Sequence, residues 1–565
     1  DTIKACHKHG IGVTAYFNAG ISVANLIDHP EWRKVDKDGK STRPHYSPYD
    51  DCGLIYRGCF NTGYYDFLKS VIREVVDNYD VDGIFCDCFN HEPCYCDNCK
   101  KDMIALGIDL DDYKQTLAFN DKKLHEFCYD IRKMVAPRHT FFNSMDWDLD
   151  FEDHIEHECL PNTTLWSYEF FSPYAAFARS CGKEMTYMTG RFSNCWGDFG
   201  GIVPKASLEN DMYDAISNGF GFCVGDHAHP AYGLIPSLYK NIGDIFEQLT
   251  RYEKYTEDAE YVAEIGIISD IPSYDMQNYN GLCRILSELK YDYNIIRKTV
   301  DFEKYKLLIL PENTLLSEDV ALKIETFIKN GGKVISCGKG GLNLSETDFA
   351  LEAYRKALSF NGLDNRNSSF YVFDDSVQTD KKGVIWSTYK PSICMKSKTG
   401  KAIAADIGLY FDKHCDGERN FFYVPPRKPT GNDAVVLTEN FAHVAFDVFE
   451  GYEKCFLETH RELVRILLEA LIAKPLIKAN TMPVSSRITV TKTATHTNLN
   501  VKVTYPESKG QIGVVNEHTY LPKGHEIFIK GNYVRAIEAL SGKAIPIQLC
   551  EDYTKIVLPE IKGFM

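Results

Sequence analysis

The chain has 565 residues, a net charge of −16 at pH 7, 44% hydrophobic and 25% charged residues. That length exceeds what one hydrophobic core serves, so about two to four domains are expected, and no apolar run is long enough to cross a bilayer, which excludes a membrane-spanning protein. The acidic balance argues against a nucleic-acid partner and for neutral or cationic ligands, while the 13% aromatics suit both large cores and sugar-binding clefts.

The sequence opens without Met, signal peptide or first strand. Residues 1–9 read as the end of a helix leading into a strand at 10–18, as in a fragment or processed form. A polar loop with Trp32, Tyr46 and Tyr49 follows. Next comes an amphipathic helix over 62–79, with Phe67, Leu68, Val71, Ile72, Val75 and Val76 on its apolar side. The stretch Val81-Asp-Gly-Ile-Phe-Cys-Asp-Cys-Phe89 is a buried-strand pattern that ends in a carboxylate at Asp87. In an alternating β/α chain the carboxyl ends of parallel strands share one face, so an acid there is a site candidate. The bland alternative is that Asp87 caps the following helix, although Asn90 and His91 lie nearer its expected start.

Helix and strand signals then alternate: a helix at 124–135, a strand at 140–144, a strand at 154–161 with Glu158 near its end, and a helix at 168–181. A strand at 184–190, a helix at 205–218 and a strand at 219–226 complete the series. These are six β/α units where a closed barrel needs eight, and the two absent units are expected before Asp1. From Ala263 the pattern changes. Strands at 264–269, 307–310 and 332–336, separated by helices at 279–290 and 318–330, predict a doubly wound sheet, with Gly331-Gly332 ending the second helix. Beyond Pro483 the alternation has period two, as in 487–491 and 499–504, which predicts a small antiparallel β domain. The expected fold class is α/β: an N-terminally truncated (β/α)8 TIM barrel over 1–260, a flavodoxin-like domain over 261–478 and a β domain over 479–565.

Several motifs carry a family likeness. They are Asn61-Thr62 before a helix, the 81–87 strand, Cys94-Tyr-Cys-Asp-Asn-Cys99, Met188-Thr-Gly-Arg-Phe192 with Trp196-Gly-Asp-Phe-Gly200, and Gly225-Asp-His-Ala-His-Pro230. Together they resemble bacterial α-L-fucosidase-like glycoside hydrolases with a β-galactosidase-type trimerisation domain, over nearly the whole chain. The resemblance implies a barrel, a flavodoxin-like trimerisation domain and a β domain. It also implies a retaining exo-α-L-fucosidase acting on fucosylated oligosaccharides, with β-galactosidase-type exo-glycosidase chemistry or a non-catalytic carbohydrate-binding barrel as the alternatives.

A retaining glycosidase needs two carboxyl groups about 5–5.5 Å apart, one as nucleophile and one as proton donor; an inverting one needs about 6.5–9.5 Å. By resemblance the nucleophile is the Asp ending the fourth barrel strand, which is Asp87 when two strands are absent. Glu158 is the first choice for acid/base, with Glu169 and Asp198 as alternatives. Substrate binding is expected from Tyr16, Asn18, Glu169, Arg191, Trp196, Asp198, Asp226, His227 and His229, the residues at or beyond strand ends. His227 and His229 lack a third ligand of fitting spacing, so no catalytic metal is expected.

Nineteen cysteines, an odd count without disulfide-scaffold spacing, read as a reducing compartment and hence a cytoplasmic chain. Cys94, Cys96 and Cys99, with Cys52 or Cys59 upstream, have the character of a four-thiolate structural zinc site. Cys52, Cys94, Cys96 and Cys99 form the set carried forward. The middle domain also looks like the class I amidotransferase scaffold, which draws attention to Cys337, but no His-x-Glu follows it at a fitting place. The segment Ser269-Asp-Ile-Pro-Ser-Tyr274 lacks a Gly-rich phosphate cradle, so that domain is expected to serve contacts in a homo-oligomer, a trimer by resemblance.

Overall fold

A computed structural model describes residues 1–42, 55–143, 145–147, 149–161, 166–193, 196–231, 233–415, 420–421, 423–503 and 519–565. Tyr46, Tyr49, Cys52 and Ser144 lie outside the described residues. The chain divides into two compact units, one comprising 1–167, 181–215 and 220–242, the other 168–180, 216–219 and 243–565. Among the described residues no helix is long and apolar enough to cross a membrane.

The first unit holds six parallel strands: β1 (Thr14–Asn18), β2 (Gly83–Asp87), β3 (His139–Phe142), β4 (His154–Glu158), β5 (Glu184–Gly190) and β6 (Gly221–Gly225). They pair in the orders β1-β2-β3 and β4-β5-β6. Asp153 N–H donates to the Thr140 carbonyl at 2.8 Å and so sets β4 beside β3. Period-two alternation sends one side of each strand to the helices and the other toward a shared mouth. Ile84, Cys86 and Phe142 go outward and are fully buried, and Asp87 goes the other way. They pack on the helix Gly63–Asn78, which is capped by Thr62 and buries Tyr64, Leu68, Ile72 and Val76 at a spacing of four. Each such fully buried side chain contributes about 1.5–3 kcal/mol.

The helix expected at 124–135 runs from Tyr113 to Val135, because the Asp112 carboxylate accepts from Lys114 N and Gln115 N and starts it earlier. A further helix, Asp97–Ala105, escapes periodicity because it is short and buries only Cys99 and Met103. The inward residues of β1, namely Thr14, Tyr16 and Asn18, are exposed. The described residues do not include the two further strands of a closed eight-stranded barrel.

In the second unit five parallel strands lie in the order 293–296, 265–268, 307–310, 333–337, 441–444, that is 2-1-3-4-5, the doubly wound arrangement. Ile265–Ile268, Tyr293–Ile296 and Leu307–Leu310 are buried throughout, which explains why their residues are apolar but for Asn294. Gly331, at φ +97°, turns the chain out of the helix Glu318–Lys329. Four antiparallel strands between 370 and 437 extend this sheet to nine. The C-terminal antiparallel strands pack in the same unit, where the buried Lys290 ammonium donates to the carbonyls of Pro483, Val484 and Ser486.

Candidate active site

The end of β2 is fixed by a close backbone crossing. Ala19 and Gly20 both donate to the Asp87 carbonyl, at 3.0 and 3.1 Å, and a Cβ on Gly20 would stand 1.8 Å from the Cys88 carbonyl oxygen. Only glycine fits there. Cys88 adopts φ +63°, so the chain turns sharply just after Asp87. The Asp87 carboxylate accepts from Tyr16 Oη at 2.8 Å, from Asn143 Nδ2 at 3.0 Å and from Cys88 N at 2.5 Å. It caps no helix, since the next one begins at Asp97 with Cys96 as its N-cap.

Glu158 stands at the end of β4. Its Oε2 accepts from the same Asn143 Nδ2 at 2.7 Å, and its Oε1 accepts from Trp196 Nε1 at 2.6 Å. One amide nitrogen therefore bridges the two carboxylates. Their acceptor oxygens are no farther apart than those two bonds laid end to end. Burial, and then the Asp87 charge, push Glu158 up to about 7, against the pull of the Trp196 and Asn143 donors. A carboxyl group in that range holds a proton at neutral pH and can give it up. Loss of water around the hydroxyl, and then the Asp87 charge, likewise raise the Tyr16 phenol, although much of the residue is exposed, and it stays a neutral donor.

The other expected site residues divide by placement. Asn18 lies opposite Asp87 in the β1/β2 register and is exposed. Arg191 and Asp226 are buried, their side chains 1% and 5% exposed, and paired at 2.6 Å; Arg191 also donates to the Phe199 carbonyl at 2.9 Å. That pair ties the end of β5 to the end of β6. Trp196 stacks on His227 at 6.1 Å with Phe192 edge-on to both, and Phe199 meets His229 at 5.3 Å. Asp198 accepts from Gly201 N at 3.2 Å and shapes the turn of that loop. Glu169 belongs to the second unit, where it pairs with Arg487. Of the three acid/base candidates, Glu158 is the one bonded to the same amide as Asp87. Asn143 escaped sequence reading because the strand expected at 140–144 runs past it, whereas the observed strand ends one residue before it.

Among the described residues the one group with metal-ligating geometry is Cys59, Cys94, Cys96 and Cys99, whose sulfurs lie within 4.8 Å of one another. Among the described residues the fourth thiol is Cys59, while Cys52 lies outside them. Four thiolates about 2.3 Å from one tetrahedral ion stand roughly 3.8 Å apart, and the Cys59 sulfur lies 3.8 Å from that of Cys96 and 3.5 Å from that of Cys99. All four cysteines are buried, Val35 N–H points at the Cys94 sulfur at 3.4 Å, and hydrogen bonds from its three neighbours favour a thiolate at Cys94. The buried Lys34 ammonium, near Cys94, donates to Asn90 Oδ1 and to the carbonyls of Asn90 and Glu92. The cluster and Lys34 together hold the segment that leads away from Asp87.

Residues 1–88 match the family described as Hypothetical glycosyl hydrolase 6, a span that includes Asp87, and residues 277–359 match the Beta-galactosidase trimerisation domain. No curated protein sequence matches. Among solved structures, α-L-fucosidase isoenzyme 2 from Paenibacillus thiaminolyticus superposes with a TM-score of 0.87 at 22% identity, covering 100% of this chain and 88% of its own. A β-galactosidase from Bacillus circulans sp. alkalophilus gives 0.68 at 14% identity, covering 99% and 90%. One from Halorubrum lacusprofundi gives 0.62 at 13%, covering 99% and 90%. The chain therefore has a glycoside-hydrolase fold that carries a trimerisation domain of the β-galactosidase type.

Proposed function

We propose that the protein is a retaining exo-glycosidase of the α-L-fucosidase kind, with Asp87 as nucleophile and Glu158 as acid/base. The observation that carries this reading is the Asn143 bridge between the two carboxylates, one of them raised to about 7. One donor shared by both groups supports the close spacing of a retaining pair, about 5–5.5 Å, over the about 6.5–9.5 Å of an inverting one. In the first step an Asp87 oxygen bonds to the anomeric carbon as the glycosidic C–O bond breaks, and the Glu158 proton passes to the departing oxygen. In the second, water bonds to that carbon, Glu158 takes the water's proton, and the Asp87–carbon bond breaks. Tyr16 and Asn143 orient the nucleophile. Asn18, Trp196, His227 and His229 offer the hydrogen-bonding and stacking surface a sugar needs.

Fucose is favoured by the likeness to the Paenibacillus protein; the trimerisation-domain match and the β-galactosidase neighbours support a β-galactoside as the second reading. A panel of p-nitrophenyl glycosides, α-L-fucoside and β-D-galactoside first, with the released anomer followed by NMR, tests both. Release of no sugar from any member would leave a non-catalytic carbohydrate-binding barrel.

Assembly and metal complete the proposal. The 277–359 match supports a homo-oligomer, with a trimer favoured. Light scattering is expected to give a multiple of the 64.3 kDa chain mass, and a monomer at micromolar concentration contradicts it. Cys59, Cys94, Cys96 and Cys99 would hold one structural zinc, four thiolates leaving no open position for water. Cys59→Ser is expected to abolish stoichiometric metal by mass spectrometry and lower Tm by several degrees, at roughly 2–4 °C per kcal/mol lost. Full Tm in a metal-free wild-type protein would overturn the metal assignment.

A further inference from the structure

Two glycines face each other where β5 and β6 end: Gly190 pairs with Gly225 in the register of those strands. Neither has a conformation that calls for glycine, since neither is among the residues with positive φ. What they have is a neighbour. A Cβ on Gly225 would stand 2.3 Å from Trp196 Cη2 and 2.5 Å from Cζ3, distances that real Cβ atoms do not show. A Cβ on Gly190 would stand 3.3 Å from the same two atoms and 3.3 Å from Leu160 Cδ2. The far edge of the indole is thus seated in a slot made of bare backbone. Its other end carries Nε1, which donates to Glu158 Oε1 at 2.6 Å. His227 covers one side of the ring, stacked at 6.1 Å, and Phe192 stands edge-on at 5.8 Å.

We infer that Gly225, with Gly190 as the second wall, is a positioning residue for the acid/base: it seats the Trp196 indole so that Nε1–H reaches Glu158. This rests on reading Glu158 as the proton donor. A rigid indole fixed at its far edge can be aimed only if nothing fills the slot, which gives a chemical reason for glycine at two paired strand positions that would otherwise carry side chains into the mouth.

The consequence has a definite sign. A donor to a carboxylate favours its charged form, so losing it moves the proton-donor pKa upward. The other groups acting on Glu158 are Asp87 on β2 and Glu156 on its own strand, both of which press upward, and Asn143, which pulls down. Cys159 adjoins it in sequence, and His227 touches the indole rather than the carboxylate. None of these changes when a methyl group enters the slot.

Gly225→Ala is therefore expected to move the alkaline limb of kcat/KM upward by about one pH unit, the worth of one hydrogen bond to a charged group. Trp196→Phe, which lacks Nε1–H, is expected to do the same. The double variant should shift no further than either single one, since both remove one interaction. Gly190→Ala, at 3.3 Å, should shift the limb less. The Gly225→Ala protein should also lose Tm, and Gly225→Ala/Trp196→Leu should regain it, because the collision is gone. That rescue is read without activity and decides the slot even if Gly225→Ala folds poorly or no glycoside is cleaved. An unshifted limb in folded Gly225→Ala, shifts that add in the double variant, or no Tm rescue by Trp196→Leu would each overturn the inference. Absence of turnover in wild-type protein would instead overturn the glycosidase reading and leave the slot standing.

Discussion

Asp87→Asn is expected to lower kcat by on the order of 10⁴-fold or more on every glycoside the wild type cleaves. A nucleophile whose removal ends covalent attack leaves only positioning and electrostatics behind. The loss should not come from unfolding. Asparagine has the same volume and keeps a carbonyl oxygen for Tyr16, Cys88 N or Asn143, which now meet at that carboxylate. The substitution also removes the charge that helps raise Glu158, so the proton on Glu158 should come off at lower pH and Tm at pH 8 should be no lower than wild type. With the smaller Asp87→Gly, azide has room to attack the anomeric carbon directly, and the glycosyl azide formed should have the configuration opposite to the substrate. Near wild-type turnover in Asp87→Asn would sink the nucleophile assignment, whatever the fate of Glu158.

How far such a site can be read from sequence depends on whether its logic is local. Asp87 and Glu158 were legible because each closes a short apolar or alternating run, and the rule about strand ends needs no knowledge of neighbours. The helix Gly63–Asn78 was legible for the same reason: its buried residues recur every four positions within one turn-by-turn pattern. Asn143 obeys the strand-end rule equally well, yet its role exists only because β2 and β4 bring two carboxylates within reach of one amide. The Arg191–Asp226 pair depends on the β5/β6 register, which composition does not specify, so the pairing itself was not legible. That Cys59 joins the other three thiols is a question of where a chain some 35 residues upstream returns, and spacing alone does not decide it. The antiparallel strands between 370 and 437 went unread because their pairing is non-local and interrupted by register shifts. What sequence conveyed was periodicity and punctuation; what it withheld was register.

Glu158 offers the second large effect, and its signature is a dependence on the leaving group. With Glu158→Ala the departing oxygen gets no proton, so cleavage of natural glycosides, whose alcohols leave poorly, should fall by on the order of 10²–10⁴-fold. Aryl glycosides, whose phenolates need little protonation, should keep their first step and accumulate glycosyl-enzyme, because the second step then lacks its base. Azide, which attacks without base help, should restore turnover with retained configuration. Glu169→Ala and Asp198→Ala should show no such discrimination: the first breaks an ion pair to Arg487, the second a turn at Gly201. The pH behaviour follows from burial and the Asp87 charge, which hold Glu158 near 7 against an ordinary value of 4.5. Turnover in the wild type should therefore fall away above about pH 7. The same shift sets a stability trend of fixed sign. Between pH 4.5 and 7 the folded chain binds a proton that the unfolded chain has released, so Glu158 costs stability progressively as pH rises through that window. Glu158→Gln removes that cost, and its Tm advantage over wild type should be small at pH 5 and largest at pH 8. A pH-independent difference, or azide rescue of Glu169→Ala or Asp198→Ala in place of Glu158→Ala, would transfer the proton-donor role to another carboxylate and leave Asp87 as nucleophile.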